Sequence, residues 1–471
     1  MLRISSGGSG RNRRELLQLF GASGLLWPFV STGLCSAESK RSGAPGFGRA
    51  KSVILVYTNG GQSQLETWDP KPEAPAEIRG EFGAIPTSVP GVFLSEHFPK
   101  LAQHADRYAI IRSMSHEDVD HGSATYLALT GRYHSRKSSN PDPGPNDAPT
   151  LGAILKNVRP TTEYPYTAVH VNGPAFVPLV AGPGQNAGLL GRDCDPMLLG
   201  DVYHQPVGPS GFVLQNELPT VRLSSRRSLL DSIDRFRRQR DRGDQFGDFQ
   251  SLYEQAYQLL DSPRCRDAFD LTKEQDALRD RYGRNRAGQA CLLARRLVEI
   301  GIPWVTVFFN HNARGQDLDP SESDLYGWDT HNDIFDAMKN HLMPRFDLTF
   351  STLLDDLQQR GLLESTLVVG MGEFGRAPRI ALEQGFAGKT PGRKHWASAY
   401  SIVMAGAGIK PGQVYGASDR LGAYPQSQPT GPWDVAATMF SALGVDPAGH
   451  YLDPFSRPFE ISTGQPIAGL Y

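Results

Sequence analysis

Histidines and carboxylates are concentrated in five short segments of this 471-residue chain, each next to an apolar run. The segments are Asn59–Gln62, His116–His121, Asn310–His311 with Trp328–His331 soon after, Gly372–Arg376, and Gly392–Trp396. Imidazole nitrogens and carboxylate oxygens are ligands of zinc and related divalent ions, at about 2.0–2.2 Å. Such an ion polarises an ester oxygen and lowers the pKa of a bound water toward about 7. The pattern predicts a divalent-ion site, with Zn, Mn, Mg or Ca as the candidate cofactor.

Three of these residues have the spacing of a catalytic metal site. Asp329 and His331 are two positions apart on an extended segment, so both can face one cation. The distant His395 would complete a three-ligand site with one open position. The remaining candidates would serve a second ion or act as acid or base: Glu373, Asp120 and His121.

Each candidate also has a structural interpretation. A lone histidine after a strand is more often a hydrogen-bonded structural residue than a metal ligand. Asp329 would equally suit the N-cap of a following helix, and Glu373 would suit an ion pair with Arg376 or Arg379. The residue types leave these alternatives open, and only the joint placement of the segments favours a site.

Apolar runs of strand length precede four of the five polar segments, and the fifth segment precedes such a run. Strands are predicted at 52–57, 107–111, 166–171, 303–309, 366–369 and 400–405, and helices at 122–130, 345–360, 433–443 and over most of 223–300. Strands without polar alternation, joined by long crossovers, indicate an α/β fold with a mostly parallel central sheet and helices on both faces. Ligands bind outside the carboxyl ends of such strands.

The composition excludes several classes of protein. Lys and Arg number 48 against 50 Asp and Glu, and a net charge of −2 gives no strong attraction to nucleic acid. The four cysteines lack the paired spacing of a zinc ribbon, a redox motif or a disulfide scaffold. Outside the N-terminus there is no run of eighteen apolar residues, so no transmembrane segment is expected in the mature protein.

The N-terminus has the three parts of a twin-arginine export signal in the right order. Arg13 and Arg14 precede a mildly apolar run over 19–34, and Ser36-Ala37 offers small residues for a signal peptidase. An amphipathic N-terminal helix is the alternative. We expect a signal peptide at 1–37, a linker at 38–50, and one α/β domain at 51–471 with a helical insertion near 223–300. The protein would then meet the twin-arginine translocase and act in the periplasm or elsewhere outside the cytoplasm.

Several motifs are similar to those of one bacterial family. They are Gly60-Gly61-Gln62-Ser63, Thr67-Trp68-Asp69-Pro70-Lys71-Pro72, Arg79-Gly80-Glu81-Phe82, Ser95-Glu96-His97, Asp120-His121-Gly122-Ser123, Leu129-Thr130-Gly131-Arg132, Trp328-Asp329-Thr330-His331, Gly372-Glu373-Phe374-Gly375-Arg376-Ala377-Pro378 and Gly392-Arg393-Lys394-His395-Trp396. On these motifs the mature chain resembles the family named domain of unknown function 1501. The resemblance implies an alkaline-phosphatase-like and sulfatase-like fold, and export by the twin-arginine route.

The same resemblance implies roles for particular residues. The first metal site of the superfamily would fall on Asp329, His331 and His395. Its second site would use the end of the first strand, the nucleophile turn and a later Asp-His pair, where this chain departs from the pattern. Asn59 replaces an Asp, His121 replaces the Ser, Thr or Cys nucleophile, and Glu373-Phe374 replaces Asp-His. The formylglycine motif of sulfatases is missing, because Leu198 follows Cys194-Asp195-Pro196 where Arg is required.

Three functions are compatible with these features. The first is a metal-dependent hydrolase of phosphate or sulfate esters on extracytoplasmic material, using an ion-activated water or Ser123 in place of the usual nucleophile. The second is a non-catalytic protein of the cell envelope that binds a glycan or a partner on a degenerate hydrolase scaffold. The third is a structural surface protein, which would leave the clustered histidines unexplained. Under the first, the catalytic candidates are His121, Ser123 and Glu373, and the metal ligands are Asp329, His331, His395, Glu373 and Asp120.

Overall fold

The computed structural model describes residues 43–164, 166–177, 180–204, 263–314 and 327–471. All of these lie in one compact unit, residues 42–471. The predicted signal peptide, the first part of the predicted linker and residues 223–262 of the predicted insertion lie outside the described residues. Within the described residues, no helix combines the length and the apolar character needed to cross a membrane.

Strands occur where apolar runs without alternation predict them, with short additions at the sheet edges and in loops. The strands are β1 Ser52–Tyr57, β2 Ala84–Pro86, β3 Phe93–Ser95, β4 Tyr108–Met114, β5 Ala168–Val171, β6 Met197–Leu199, β7 Trp304–Phe308, β8 Thr366–Met371, β9 Gly375–Arg376, β10 His395–Trp396, β11 Tyr400–Ala405, β12 Val414–Tyr415, β13 Ala417–Ser418, β14 Pro425–Ser427, β15 His450–Leu452 and β16 Pro458–Glu460. The six predicted strands are confirmed, as β1, β4, β5, β7, β8 and β11.

Eight strands form the central sheet in the order β12-β4-β11-β8-β1-β7-β5-β6. Strand β1 pairs in parallel with β7 and β8, with Val56 opposite Val307 and Gly370. Strand β11 is antiparallel to both of its neighbours, β4 and β8, and the other seven strands run the same way. The predicted α/β fold class with a mostly parallel sheet is therefore confirmed.

Helices cover the sheet on both faces. The helices are α1 Ala76–Arg79, α2 Pro99–Gln103, α3 His121–Thr130, α4 Leu151–Val158, α5 Pro263–Phe269, α6 Asp276–Tyr282, α7 Arg286–Ile300, α8 Ile334–Ala337, α9 Met343–Gln359 and α10 Pro432–Ala442. Alternate side chains of β1 enter two separate cores, because successive side chains of a strand point to opposite faces. Ile54 and Val56 pack in the core that contains α7 and α9, whereas Val53, Leu55 and Tyr57 pack in the core that contains α4 and α10.

The direction of β11 explains how the polar segments meet at one edge of the sheet. Strands β1, β4, β7 and β8 are parallel, so the segments that follow them leave the sheet at the same edge. The segment that contains His395 precedes β11, and an antiparallel strand begins at the edge where its neighbours end. All five polar segments are therefore brought to the carboxyl edge of the parallel strands.

Candidate metal centre

Four side chains meet at this edge with their nitrogen and oxygen atoms facing one another. Asp329 Oδ1 lies 3.1 Å from both His331 Nε2 and His395 Nε2, and these two nitrogens are 3.0 Å apart. On the other side of the carboxylate, Asp329 Oδ2 lies 3.2 Å from His121 Nε2. His121, Asp329 and His395 each offer a ligand atom within 4.8 Å of the other two. Sequence reasoning placed three of these four side chains in one site and assigned His121 elsewhere.

These distances suit a shared cation. Two ligand atoms bound to one divalent ion at about 2.1 Å stand about 3.0–3.4 Å apart in octahedral or tetrahedral geometry. The observed separations of 3.0–3.2 Å fall in that range. In addition, His121 Nε2 is buried, makes no hydrogen bond of good geometry among the described residues, and faces the Asp329 carboxylate. The donor set therefore fits a divalent ion.

Two of the histidines are held by their second ring nitrogen. His121 Nδ1 is 2.7 Å from Glu373 Oε1, and His395 Nδ1 is 2.7 Å from the carbonyl oxygen of Val119. Metal-binding histidines usually donate this N–H to a carboxylate or a carbonyl, which fixes the tautomer and leaves the other nitrogen for the ion. An N–H on Nδ1 of His395 leaves a lone pair on Nε2 that faces the Asp329 carboxylate, and a cation between these two atoms would stabilise the arrangement.

Glu373 is fixed by neutral donors on its other sides. The Tyr57 hydroxyl donates to Glu373 Oε2 at 3.0 Å, and the Gly60 amide donates to Oε1 at 2.8 Å. Tyr57 also contacts the Thr125 hydroxyl at 2.8 Å, within helix α3. Glu373 is fully buried and contacts the centre through the Nδ1 side of His121. The structure therefore places Glu373 behind His121, where it can orient this candidate ligand.

Arg376 contacts the candidate ligand Asp329 directly. Its guanidinium donates to Asp329 Oδ1 at 2.8 Å and to the carbonyl oxygens of Gly60 and Gly61, and the side chain is fully buried. Glu373 does not form the predicted ion pair with Arg376, because this arginine pairs with Asp329 instead. The predicted cap role of Asp329 also fails, since Asp333 is the residue that precedes helix α8.

Charges in the centre shift the pKa values of its members. Burial would raise the pKa of Asp329, but the adjacent positive charges of His121 and Arg376 outweigh burial and hold it well below its usual value. Burial would lower the pKa of His121, but the carboxylates of Asp329 and Glu373 outweigh it and raise the value to about 9. Burial and the nearby positive charge of His121 lower the pKa of His395 to about 4. Without an ion, the proton of the centre therefore resides on His121.

Ser123 and Asp120 lie beside the centre and have different partners. The Ser123 hydroxyl donates to Asp118 Oδ1 at 2.6 Å and accepts from the Ser139 amide at 3.1 Å, so it ties two loop segments to the first turn of α3. Asp120 precedes α3, and its side chain makes no cap hydrogen bond. Neither side chain is among the groups that the structure brings within ligand distance of one another.

At the positions where the resemblance implies a second ion, the structure places few ligands. Asn59 Nδ2 donates to the Phe176 carbonyl oxygen at 2.9 Å, and its buried Oδ1 has no hydrogen-bond partner among the described residues. Phe374 is buried with Ala124 and Ala397, and its ring centroid lies 4.7 Å from that of His395. Apolar packing therefore occupies the position at which the resemblance expects a histidine.

Sequence reasoning missed three contributors to the centre. They are Tyr57, the Val119 carbonyl, and Phe386, whose ring stacks on His331. A tyrosine at the end of an apolar strand gives a weak signal for the first. The other two depend on loop conformation, and nothing in the residue types indicates it.

Comparison with known families now places this chain. The family described as "Protein of unknown function (DUF1501)" matches residues 50–471, nearly the whole of the described unit. The chain belongs to this DUF1501 family. The family resemblance predicted from the motifs is thus confirmed. None of the curated proteins matches the chain in sequence.

Solved structures similar to this DUF1501 member have low sequence identity to it. One is a protein in the alkaline phosphatase superfamily from Vibrio parahaemolyticus, 11% identical with a TM-score of 0.41, covering 85% of this chain and 68% of that one. A phosphonate monoester hydrolase from Silicibacter pomeroyi is 13% identical with a TM-score of 0.39, covering 88% and 75%. The PsFucS1 sulfatase from Pseudoalteromonas sp. is 13% identical with a TM-score of 0.39, covering 87% and 69%.

Proposed function

We propose that this protein is a metal-dependent hydrolase of phosphate or sulfate esters. The observation that carries the proposal is the set of ligand atoms on His121, Asp329, His331 and His395. An oxygen of Asp329 lies 3.1–3.2 Å from Nε2 of each histidine, and the Nε2 atoms of His331 and His395 are 3.0 Å apart. The acceptors behind His121 and His395 support it, because they leave the Nε2 atoms free for an ion.

Asp329, His121 and His395 would hold the ion, with His331 as a fourth donor on the Asp329 Oδ1 side. Three imidazoles with one carboxylate favour zinc over magnesium or calcium, which prefer sites made of oxygen atoms. When bound, the ion would polarise an ester oxygen and lower the pKa of a bound water. The protein groups have separate tasks: Glu373 orients His121, the Val119 carbonyl orients His395, and Arg376 holds Asp329 and offsets its charge.

The nucleophile would differ from that of related hydrolases. His121 stands at the head of α3, and the neighbouring Ser123 hydroxyl is committed to Asp118. These contacts favour attack by water over a covalent intermediate on Ser123. We further propose that residues 1–37 direct twin-arginine export and that the ester substrate lies outside the cytoplasm, as the paired arginines suggest.

The test combines metal analysis with an activity panel. The full chain is expressed in an exporting bacterium, and elemental analysis is compared for wild type, His395→Ala and the control His450→Ala, a histidine on an exposed hairpin strand. We expect about one zinc per chain in wild type and in the control, and a loss of at least 100-fold in metal-dependent ester hydrolysis in His395→Ala. Activity unchanged by that substitution would refute the proposal. A bound ion without hydrolysis of any ester would favour the glycan-binding or partner-binding alternative.

A further inference from the structure

Phe386 lies directly on a candidate ligand, and half of its side chain is exposed. Its ring stacks on His331 with the centroids 3.8 Å apart and an angle of 11° between the planes. The side chain is 49% exposed although it is a phenylalanine. One face of the ring is covered by His331, so the exposed area lies on the rest of the residue, beside this candidate ligand.

The loop that carries this phenylalanine is held in place by the two residues after His331. The Asn332 amide donates to the carbonyl oxygens of Glu383, Phe386 and Ala387, and its own oxygen accepts from the Glu383 amide. Asp333 accepts from the Lys389 amide and from the amide and hydroxyl of Thr390. The Asn332 side chain is fully buried, whereas the hydrogen bonds of Asp333 lie at the surface.

Two residues of this clamp have a positive φ. Asp333 has a φ of 51°, in the left-handed region that side chains other than glycine rarely occupy. Gly388 has a φ of 115°, and a Cβ at this position would lie 2.5 Å from the Cβ of Asn332. The chain thus uses a left-handed aspartate, a glycine packed against Asn332 and side-chain hydrogen bonds to hold an apolar ring in a partly exposed place.

Two other apolar residues on segments that contact the candidate ligands are also exposed. Leu382, on the same loop, is 50% exposed, and Val119, whose carbonyl oxygen holds His395, is 44% exposed. Sites for small molecules combine aromatic and apolar walls with a few polar groups that fix orientation. Here the polar groups are the four candidate ligands, and Phe386 is the aromatic wall.

We propose that Phe386 is the specificity-determining contact of this site and stacks against the ring of a ring-bearing ester, either an aryl or a sugar ester. The proposal rests on the proposed function, since the anionic group of the ester would bind at the candidate metal centre beside it. Both ring types offer an apolar face on which an aromatic side chain can stack, the π face of an aryl ring or the C–H face of a sugar ring. An aromatic side chain that stacks on such a face adds about 5- to 20-fold in affinity.

Calorimetry with unreactive analogues tests the proposal without requiring turnover. The zinc-loaded full chain is titrated with methylphosphonate, phenylphosphonate and a phosphonate of glucose, and with the matching sulfonates. For wild type we expect at least one ring-bearing analogue to bind 5- to 20-fold tighter than the methyl analogue. Phe386→Ala should reduce this ratio to about one, and Phe386→Trp should restore it. The matched control is Phe455→Ala, because Phe455 is 80% exposed on a separate hairpin and should leave the ratio unchanged.

The outcomes separate the two proposals. If the methyl analogues bind and the ring-bearing ones bind no tighter, the stacking role is wrong and the proposed hydrolase site stands. If no phosphonate or sulfonate binds to the zinc-loaded protein, the anion site is refuted and the stacking role with it. If Phe386→Ala loses zinc, Phe386→Leu decides, because leucine still covers His331: a full ring preference in that variant overturns the proposal. The size of the loss for each ring tells an aryl ester from a sugar ester.

Discussion

Replacement of Glu373 by Gln should weaken metal binding while the fold is preserved. Glutamine has the same shape and can still accept from His121 Nδ1 and from the Gly60 amide, which lie 2.7 and 2.8 Å from Glu373 Oε1. Its NH₂ group would face the Tyr57 hydroxyl, which can accept while it donates elsewhere. One N–H of the new amide can thus donate to Tyr57, and the substitution removes one negative charge behind His121.

The expected magnitude follows from that change. A hydrogen bond to a charged group contributes about 1.5–3 kcal/mol and one between neutral groups about 1 kcal/mol, so the charge accounts for roughly 1 kcal/mol or more. Loss of a group that orients a metal-binding histidine typically costs about 10- to 100-fold in metal affinity. We expect about a 10-fold weaker zinc Kd for Glu373→Gln, which corresponds to about 1.4 kcal/mol.

Competition against a chelator of known affinity measures the zinc Kd of the wild type and the variant. The matched control is Glu117→Gln, since Glu117 lies in the loop before α3, is exposed, and pairs with Lys137 at 3.0 Å on the surface. We expect the control to bind zinc as wild type does. An equal affinity of Glu373→Gln and wild type, or an equal loss in Glu117→Gln, would refute the orienting role of Glu373.

Three further predictions concern pH, a buried charge and the clamp of the loop. The pKa of His121 is raised to about 9, so the stability that its proton provides is complete below about pH 6.5 and is lost as the pH rises through 9. Urea unfolding of the metal-free protein should show a fall of about 3 kcal/mol over that range, and His121→Asn should remove it. Arg376→Met should lower the free energy of unfolding by about 3–5 kcal/mol, because it leaves Asp329 buried with one fewer positive partner; a change below about 1 kcal/mol in urea unfolding would contradict this. Asn332→Ala should raise the amide hydrogen exchange of residues 383–390, and unchanged exchange would show that the clamp does not hold the loop.

Much of the fold could be predicted, because short apolar runs without polar alternation indicate buried strands in a chain of this length. The strands β1, β4, β5, β7, β8 and β11 were all predicted in this way. The antiparallel direction of β11 could not be, since an apolar run has the same composition in either direction. The short strands β6 and β12 also escaped prediction, because two or three residues carry no period.

Most of the side chains that meet at the candidate centre could be predicted from the sequence, but their arrangement could not. Asp329, His331 and His395 are brought together as expected, because the carboxyl edge of a parallel sheet gathers the segments that follow its strands. Glu373 was expected near an ion, but its carboxylate contacts Nδ1 of His121. That contact depends on the conformation of the turns after β1 and β8, which position the Glu373 carboxylate. The position of Phe386 depends on the clamp at Asn332 and Asp333, for which the sequence gives no periodic signal.

The most direct measurement is anomalous diffraction at the zinc edge from crystals of the zinc-loaded full chain. We predict one strong peak within about 2.0–2.2 Å of an Asp329 carboxylate oxygen and of the Nε2 atoms of His121 and His395. The same peak should be absent from crystals of His395→Ala. A peak elsewhere in the chain, or the absence of any zinc between these side chains, would contradict the proposed metal centre.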